Sequence, residues 1–157
     1  MLSPDRVEDH EELFRRVEFS SLCYQYNPET GELEVTQTAF NDRNFCPSVD
    51  RAKLCNNDPW HTIGRDDRNG VVLLVAFEVR QIDSVVAQDA HGNPLPPIYR
   101  IDVHADPKDD NEAHAEIRAD PSIQKKSVFK KLRMALAHLA RKRKWLILPG
   151  DYRHLST

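Results

Sequence analysis

Cysteine is scarce and unpaired in this sequence. Cys23, Cys46 and Cys55 are three in 157 residues, an odd number with no C-x-x-C spacing, which argues against a disulfide framework or a zinc ribbon. The first residues, Met1-Leu2-Ser3-Pro4-Asp5-Arg6, carry no basic stretch followed by an apolar one, so no signal peptide is readable. The longest apolar run, Val71–Phe77, falls far short of the roughly 20 residues a membrane helix needs. These absences lead to the expectation of a cytoplasmic protein with no membrane partner. Internal repeats, low-complexity segments and catalytic signatures of high specificity are missing as well. No spacing of ligand side chains suggests a metal, and no motif suggests a cofactor, so none of either is expected.

The chain is long enough to bury a core as one domain, residues 1–157, without covalent staples. With 39% hydrophobic and 30% charged residues, it is too apolar to be disordered as a whole. The net charge of −3 conceals a segregation. Residues 125–144 hold nine Lys/Arg and no acidic residue, whereas residues 1–124 hold 12 basic and 24 acidic ones.

Periodicity predicts an α+β fold, a mainly antiparallel sheet packed against a long C-terminal amphipathic helix. Residues 5–16 read as a short charged helix. Ser20–Tyr26 and Glu32–Thr38 read as a hairpin around the turn Asn27-Pro28-Glu29-Thr30-Gly31. Val49–Leu54 reads as a short helix capped by Ser48. Gly70–Ile82 reads as the best strand, Ser84–Gln88 as a weaker one and His91–Pro97 as a loop. Ile98–His104 and Ala113–Arg118 alternate as strands, and Trp145–Leu148 is a short last strand or tail. Asp120-Pro121 reads as the start of the long helix, residues 121–144, with Asp at the cap and Pro at the first helical position.

On that helix Val128, Phe129, Leu132, Ala135, Leu136 and Leu139 fall on one side. Lys126, Lys130, Arg133, Arg141 and Lys144 form a stripe on the other, interrupted by Ala137. Such a stripe can bind the phosphates of a nucleic acid with counterion release. It can equally dock an acidic protein partner, or an acidic surface of a second copy in a homo-oligomer. A plain solvated face, favoured by the helix dipole near its C-terminal end, is the bland alternative.

The strands carry a second candidate. Arg100, Asp102 and His104 share one face, and His114, Glu116 and Arg118 share another. An even register brings all six together, and charge matching favours Asp102 opposite His114 and Arg100 opposite Glu116. A histidine oriented by a carboxylate can act as acid or base, and an arginine can hold an anion. The catalytic candidates are therefore His114, Glu116, Arg118, Asp102 and His104. Charges paired across an exposed sheet would give the same pattern. Asp50 and Arg51 read as local salt-bridge or capping residues, Trp60-His61 as a loop anchor, and Cys46 beside Pro47 as an alternative nucleophile.

Three segments, Ala39-Phe40, Ser48-Val49-Asp50-Arg51-Ala52 and Asn111-x-Ala113-His114-Ala115-Glu116-Ile117, together resemble small bacterial proteins of no assigned activity. The resemblance covers roughly residues 38–118 and implies a bacterial cytosolic origin in a defence or mobile-element setting. Leu13-Phe14-Arg15-Arg16-Val17 is also similar to the first-strand arginine motif of ADP-ribosyltransferases, with Glu116 in the place of their late glutamate. The Ser-Thr-Ser motif of that family is missing, and His114 stands where it has Glu or Gln. Two functions follow as expectations. One is a binding component docking through the basic helix. The other is an enzyme acting on a nucleotide or RNA through His114, Glu116 and an arginine.

Overall fold

The computed structural model describes residues 5–155. Of the N-terminal stretch read for a targeting signal, Met1–Pro4 lies outside them. The fold is α+β. A five-stranded antiparallel sheet is built from β1 (Glu12–Val17), β4 (Ser48–Arg51), β5 (Gly70–Val75), β8 (Arg100–Ala105) and β9 (His114–Asp120), in the order β5-β1-β4-β9-β8. Two small hairpins, β2 (Tyr24–Asn27) with β3 (Glu32–Val35) and β6 (Ala87–Gln88) with β7 (Pro94–Leu95), stand apart from it. The helices are α1 (Ala76–Arg80) and α2 (Lys126–Arg141). No helix among the described residues is long and apolar enough to cross a membrane.

Alternation gives the sheet two different faces. Leu13 and Val17, Val49, Val72 and Leu74, Ile101 and Val103, and Ala115 and Ile117 are buried with Val128, Phe129, Leu132, Leu136 and Ala140 of α2. Leu132 is 0% exposed, so Leu132→Ala is expected to cost about 2–5 kcal/mol, read as a lowered denaturant midpoint at unchanged slope. The opposite face is covered only at its β5–β1 end. There Phe14 and Val71 pack with Ala52, Cys55, Ile63 and Ile147. The β9–β8 end of that face is open and polar.

Several elements differ from their sequence reading, each for a physical reason. Residues 5–16 are not helical: Glu12–Val17 is the strand β1, with Leu13 and Phe14 buried on opposite faces, so the adjacent apolar pair is a strand sealed on both sides. Ser48–Arg51 is the central strand β4 rather than a helix start. Asp50 and Arg51 are buried there because each has dedicated partners. β5 ends at Val75 because its partner β1 begins at Glu12, paired with it. Beyond that point Ala76 and Phe77 donate to the carbonyls of Glu11 and Asp9, and the chain turns into α1. The loop at 91–97 contains β7. Asp120 ends β9, paired with Arg100, so it does not cap the helix, which runs from Lys126 to Arg141 rather than over 121–144.

The hairpin turn at Asn27–Gly31 forms as read, with Gly31 at φ +74° where glycine carries no Cβ penalty. Ile147 bridges Val71 and extends the sheet beyond β5.

The β8–β9 register also differs. Arg100 faces Asp120, Asp102 faces Arg118 and His104 faces Glu116. The pairing remains even and charge-matched, but each residue of β8 meets a partner four positions further along β9. The tight turn sets it: Lys108 and Asn111 exchange backbone hydrogen bonds of 2.9 and 3.1 Å. Between that pair and the next, Asp106 with His114, β9's side has two residues and β8's side one. This bulge at Glu112–Ala113 re-aims the flanking side chains.

Candidate active site

The ladder between β1 and β4 is short, pairing only Leu13 with Arg51 and Phe14 with Asp50. Past it the carbonyl of Ser48 is met not by backbone but by the Arg15 guanidinium, Nη1 donating at 2.8 Å. A polar cleft of about 490 Å³ opens here, lined by Arg15, Arg16, Ser48, Asp50, Thr62, Asn111 and His114 among others. That size lies within the range of about 300–1,000 Å³ typical of small-molecule sites.

Arg15 forms one wall. Its nitrogens donate to the carbonyls of Ala39, Asn41 and Ser48 at 2.8–3.1 Å, with no carboxylate in contact among the described residues. Burial pulls this guanidinium down to about 10, opposed by the charge of Asp42; it stays charged at neutral pH. The Arg16 side chain, on the neighbouring position, has no hydrogen bond or ion pair among the described residues.

Asp50 lies across from it, 8% exposed. Its Oδ2 accepts from the Thr62 hydroxyl at 2.7 Å and its Oδ1 from Asn111 Nδ2 at 2.8 Å. The Asn111 oxygen then accepts from the Ala113 N–H at 3.2 Å and from His61 Nε2 at 2.9 Å. With the amide so oriented, His61 carries its proton on Nε2. The bulge places Asn111 here, and the short 3-10 helix Pro59–Thr62, capped by Asp58, places His61 and Thr62.

His114 faces Asp50 across the β4–β9 ladder. Its Nδ1 lies 2.9 Å from the Asp106 carbonyl oxygen and 3.3 Å from Asp106 Oδ2. Both are acceptors, so Nδ1 carries the proton. Nε2 is then the lone-pair nitrogen of the neutral ring, and it lies 3.2 Å from Ser48 Oγ. The Ser48 hydroxyl donates to it. A hydrogen bond from Lys108 holds the Asp106 carboxyl below the usual carboxylate range, with desolvation opposing it and the charges of Lys108 and Arg118 acting in the same direction as the bond. A hydroxyl, an imidazole of fixed tautomer and an ionised carboxylate in this sequence can move a proton from the hydroxyl side of the cleft.

Of the residues singled out from the strands, only His114 lines this cleft. Glu116 is bonded to Arg118 at 2.8 Å. Asp102, His104 and Arg118 line a separate hollow at the β8–β9 end, with Arg80. There Asp102 receives Arg80 Nε at 2.6 Å, and Arg80 also binds Asp9 at 2.7 Å. Asp102 therefore anchors α1 to the sheet. Cys46 is held as a thiol: burial and the charge of Glu116 raise it above its usual value, with Arg118 opposing.

The basic stripe is only partly free. Lys126, Lys130 and Lys144 are exposed. Arg141 donates to the Val35 carbonyl at 2.7 Å, tying α2 to the β2–β3 hairpin. Arg133 is half-buried over the Phe129 ring at 5.1 Å, and its Nε has no hydrogen-bond partner among the described residues. Ala137, between them, is buried.

Ser48, Asp106, Asp50 and Asn111 are not among the catalytic candidates drawn from the sequence. The stretch Asp106-Pro107-Lys108-Asp109-Asp110-Asn111 has the composition of an acidic turn, in which Asn111 reads as a turn cap or a site contributor, and Ser48 reads as a helix cap. The clue lies in the two segments Ser48–Ala52 and Asn111–Ile117, which are the paired strands β4 and β9 and the turn between β8 and β9. No protein-family model matches the chain, and comparison with curated proteins and with solved structures gives no match.

Proposed function

We propose that this chain is an enzyme that cleaves a bond in a nucleotide or in RNA, with the cleft as active site and His114 as its general base. The observation that carries the reading is the orientation of His114, tied through Nδ1 to Asp106 and turned through Nε2 into the cleft. The lining of mixed charge supports the substrate class. Arg16 suits a phosphate, and Asp50 suits a sugar hydroxyl, as carboxylates do in nucleotide sites. Glu116, engaged with Arg118, has no part in this reading. The test is incubation of the purified protein with RNA oligonucleotides, a dinucleotide cofactor and nucleoside triphosphates, with products identified by mass spectrometry. One class should be consumed by the wild type and spared by His114→Ala. Equal products from both proteins, or none from the wild type, would contradict it.

A second reading is favoured by Lys126, Lys130 and Lys144, which are exposed and free of ion pairs among the described residues. In it α2 docks nucleic acid or an acidic protein surface. Arg133 and Arg141 are unsuitable for its test because they pack on the fold. The informative variant is Lys126→Glu/Lys130→Glu/Lys144→Glu. It should weaken DNA binding and flatten the plot of log affinity against log salt by about 0.9 for each phosphate no longer neutralised. An unchanged slope would dismiss the helix as the docking element.

A further inference from the structure

We propose that Ser48 is the nucleophile of this cleft, and that cleavage passes through a phosphoryl ester on its Oγ. This rests on the reading of the cleft as a nucleotide- or RNA-cleaving site. The proton inventory points to it. Both acceptors of Asp106 face His114 Nδ1, which leaves Nε2 with a lone pair directed at Ser48 Oγ. That is the tautomer a serine needs to lose its proton on attack. Ser48 Oγ has no other hydrogen-bond partner among the described residues, so its hydroxyl hydrogen is committed to His114. Its backbone is fixed on both sides: Arg15 holds the Ser48 carbonyl, and the carbonyl of Pro47 accepts from Ile117 of β9.

The surroundings complete the site. Arg16 faces the cleft without a carboxylate partner, placed to meet charge on non-bridging phosphate oxygens. Cys46, two residues from Ser48, is the stronger nucleophile by type but does not line the cleft, whereas Ser48 and His114 do. The hydroxyl beside the imidazole is therefore the poised group.

The steps balance. Ser48 Oγ attacks phosphorus as its proton passes to His114 Nε2. The bond from phosphorus to the leaving oxygen breaks, and that oxygen takes the proton from His114. Water then attacks the phosphoryl-Ser48 ester and gives a proton to His114. The Oγ–phosphorus bond breaks, and the proton returns to Oγ. No oxidant, reductant or further co-reactant is consumed.

The probe is an organophosphorus electrophile, an alkyl phosphonofluoridate, applied to the full-length protein at neutral pH. Intact mass should rise by one phosphonyl group, and fragment spectra should place it on Ser48. Ser48→Ala should abolish the adduct. His114→Ala should slow its formation by at least about 100-fold. Asp106→Asn, which keeps the side-chain shape, should slow it as well. Unmodified protein, an adduct on another residue, or labelling of Ser48 at the same rate without His114 would overturn the proposal. Turnover of the substrate separates this failure from that of the wider reading. Loss of turnover in His114→Ala with full turnover in Ser48→Ala removes the nucleophile and leaves the active site standing. Full turnover in both removes both.

Discussion

Replacing His114 with alanine is expected to lower turnover by at least about 100-fold while leaving the fold intact, the usual range for losing a positioned general base being about 10²–10⁴. The side chain is 15% exposed and makes its hydrogen bonds at the rim of the sheet, to Ser48 Oγ and to Asp106. Neither bond belongs to the apolar core under α2, so the loss should appear in kcat with little change in thermal midpoint. Asp106→Asn should reproduce part of the defect, because the amide can turn its N–H₂ toward Nδ1 and favour the wrong tautomer. Asn111→Ala should act less directly, freeing Asp50 and His61 from each other.

The largest effect on stability is expected at a pair far from this chemistry in character, though only one residue away in sequence from Asp50. Arg51 is 2% exposed. Its Nε and Nη2 donate to the two carboxylate oxygens of Glu11 at 2.9 Å each, and its remaining bonds go to the carbonyls of Asp5 and Arg6. This pair clasps the N-terminal segment to the central strand. Arg51→Ala leaves Glu11 buried with only Lys53, at 3.6 Å, as a counter-charge. Breaking a buried pair in this way costs about 3–5 kcal/mol, a large share of the roughly 5–15 kcal/mol that holds a domain of this kind. Replacing both, Glu11→Leu with Arg51→Met, should cost much less, and the difference would appear in a double-mutant cycle by denaturant unfolding.

Glu11 gives the same pair a pH signature. Burial alone would raise its carboxyl. The hydrogen bonds from Arg51 and from the Glu8 N–H, with the charges of Arg51 and Lys53, outweigh burial and hold it below the usual glutamate value. A carboxyl lowered in the folded state contributes stability that is complete above its unfolded value and is lost as pH falls through its folded one. Wild-type stability should therefore decline on acidification below the ordinary glutamate range, and this part of the decline should be missing in the double variant.

The cleft and the buried pair both lie where the sequence is hardest to read. α2 is legible because six apolar residues at helical spacing outweigh everything around them, and Val71–Val75 because a short continuous apolar run of Val and Leu bounded by Gly70 suits a strand buried on both faces. The polar strand faces are legible from alternation, and the even pairing follows. β4 is not. Val49-Asp50-Arg51 looks like surface chain, and becomes a buried strand only because Thr62, Asn111 and Glu11 arrive from distant positions to satisfy it. The same long-range pairing hides the cleft: Ser48 and His114 are 66 residues apart, and a one-residue bulge decides where Asn111 and His114 point. The helix stripe is smaller than its spacing implies for a related reason. A wheel places Arg133 and Arg141 away from the sheet but cannot show that Arg141 meets the Val35 carbonyl of the hairpin or that Arg133 folds over Phe129.

The most direct test of the cleft as the functional centre is an amide chemical-shift titration of the full chain with a nucleoside monophosphate. Shifts should concentrate at Arg16, Ser48, Asp50, Asn111 and His114, saturate with ligand, and be absent in Arg16→Ala. Shifts confined to Lys126–Lys144, or none at all, would contradict the assignment of the cleft as the functional centre.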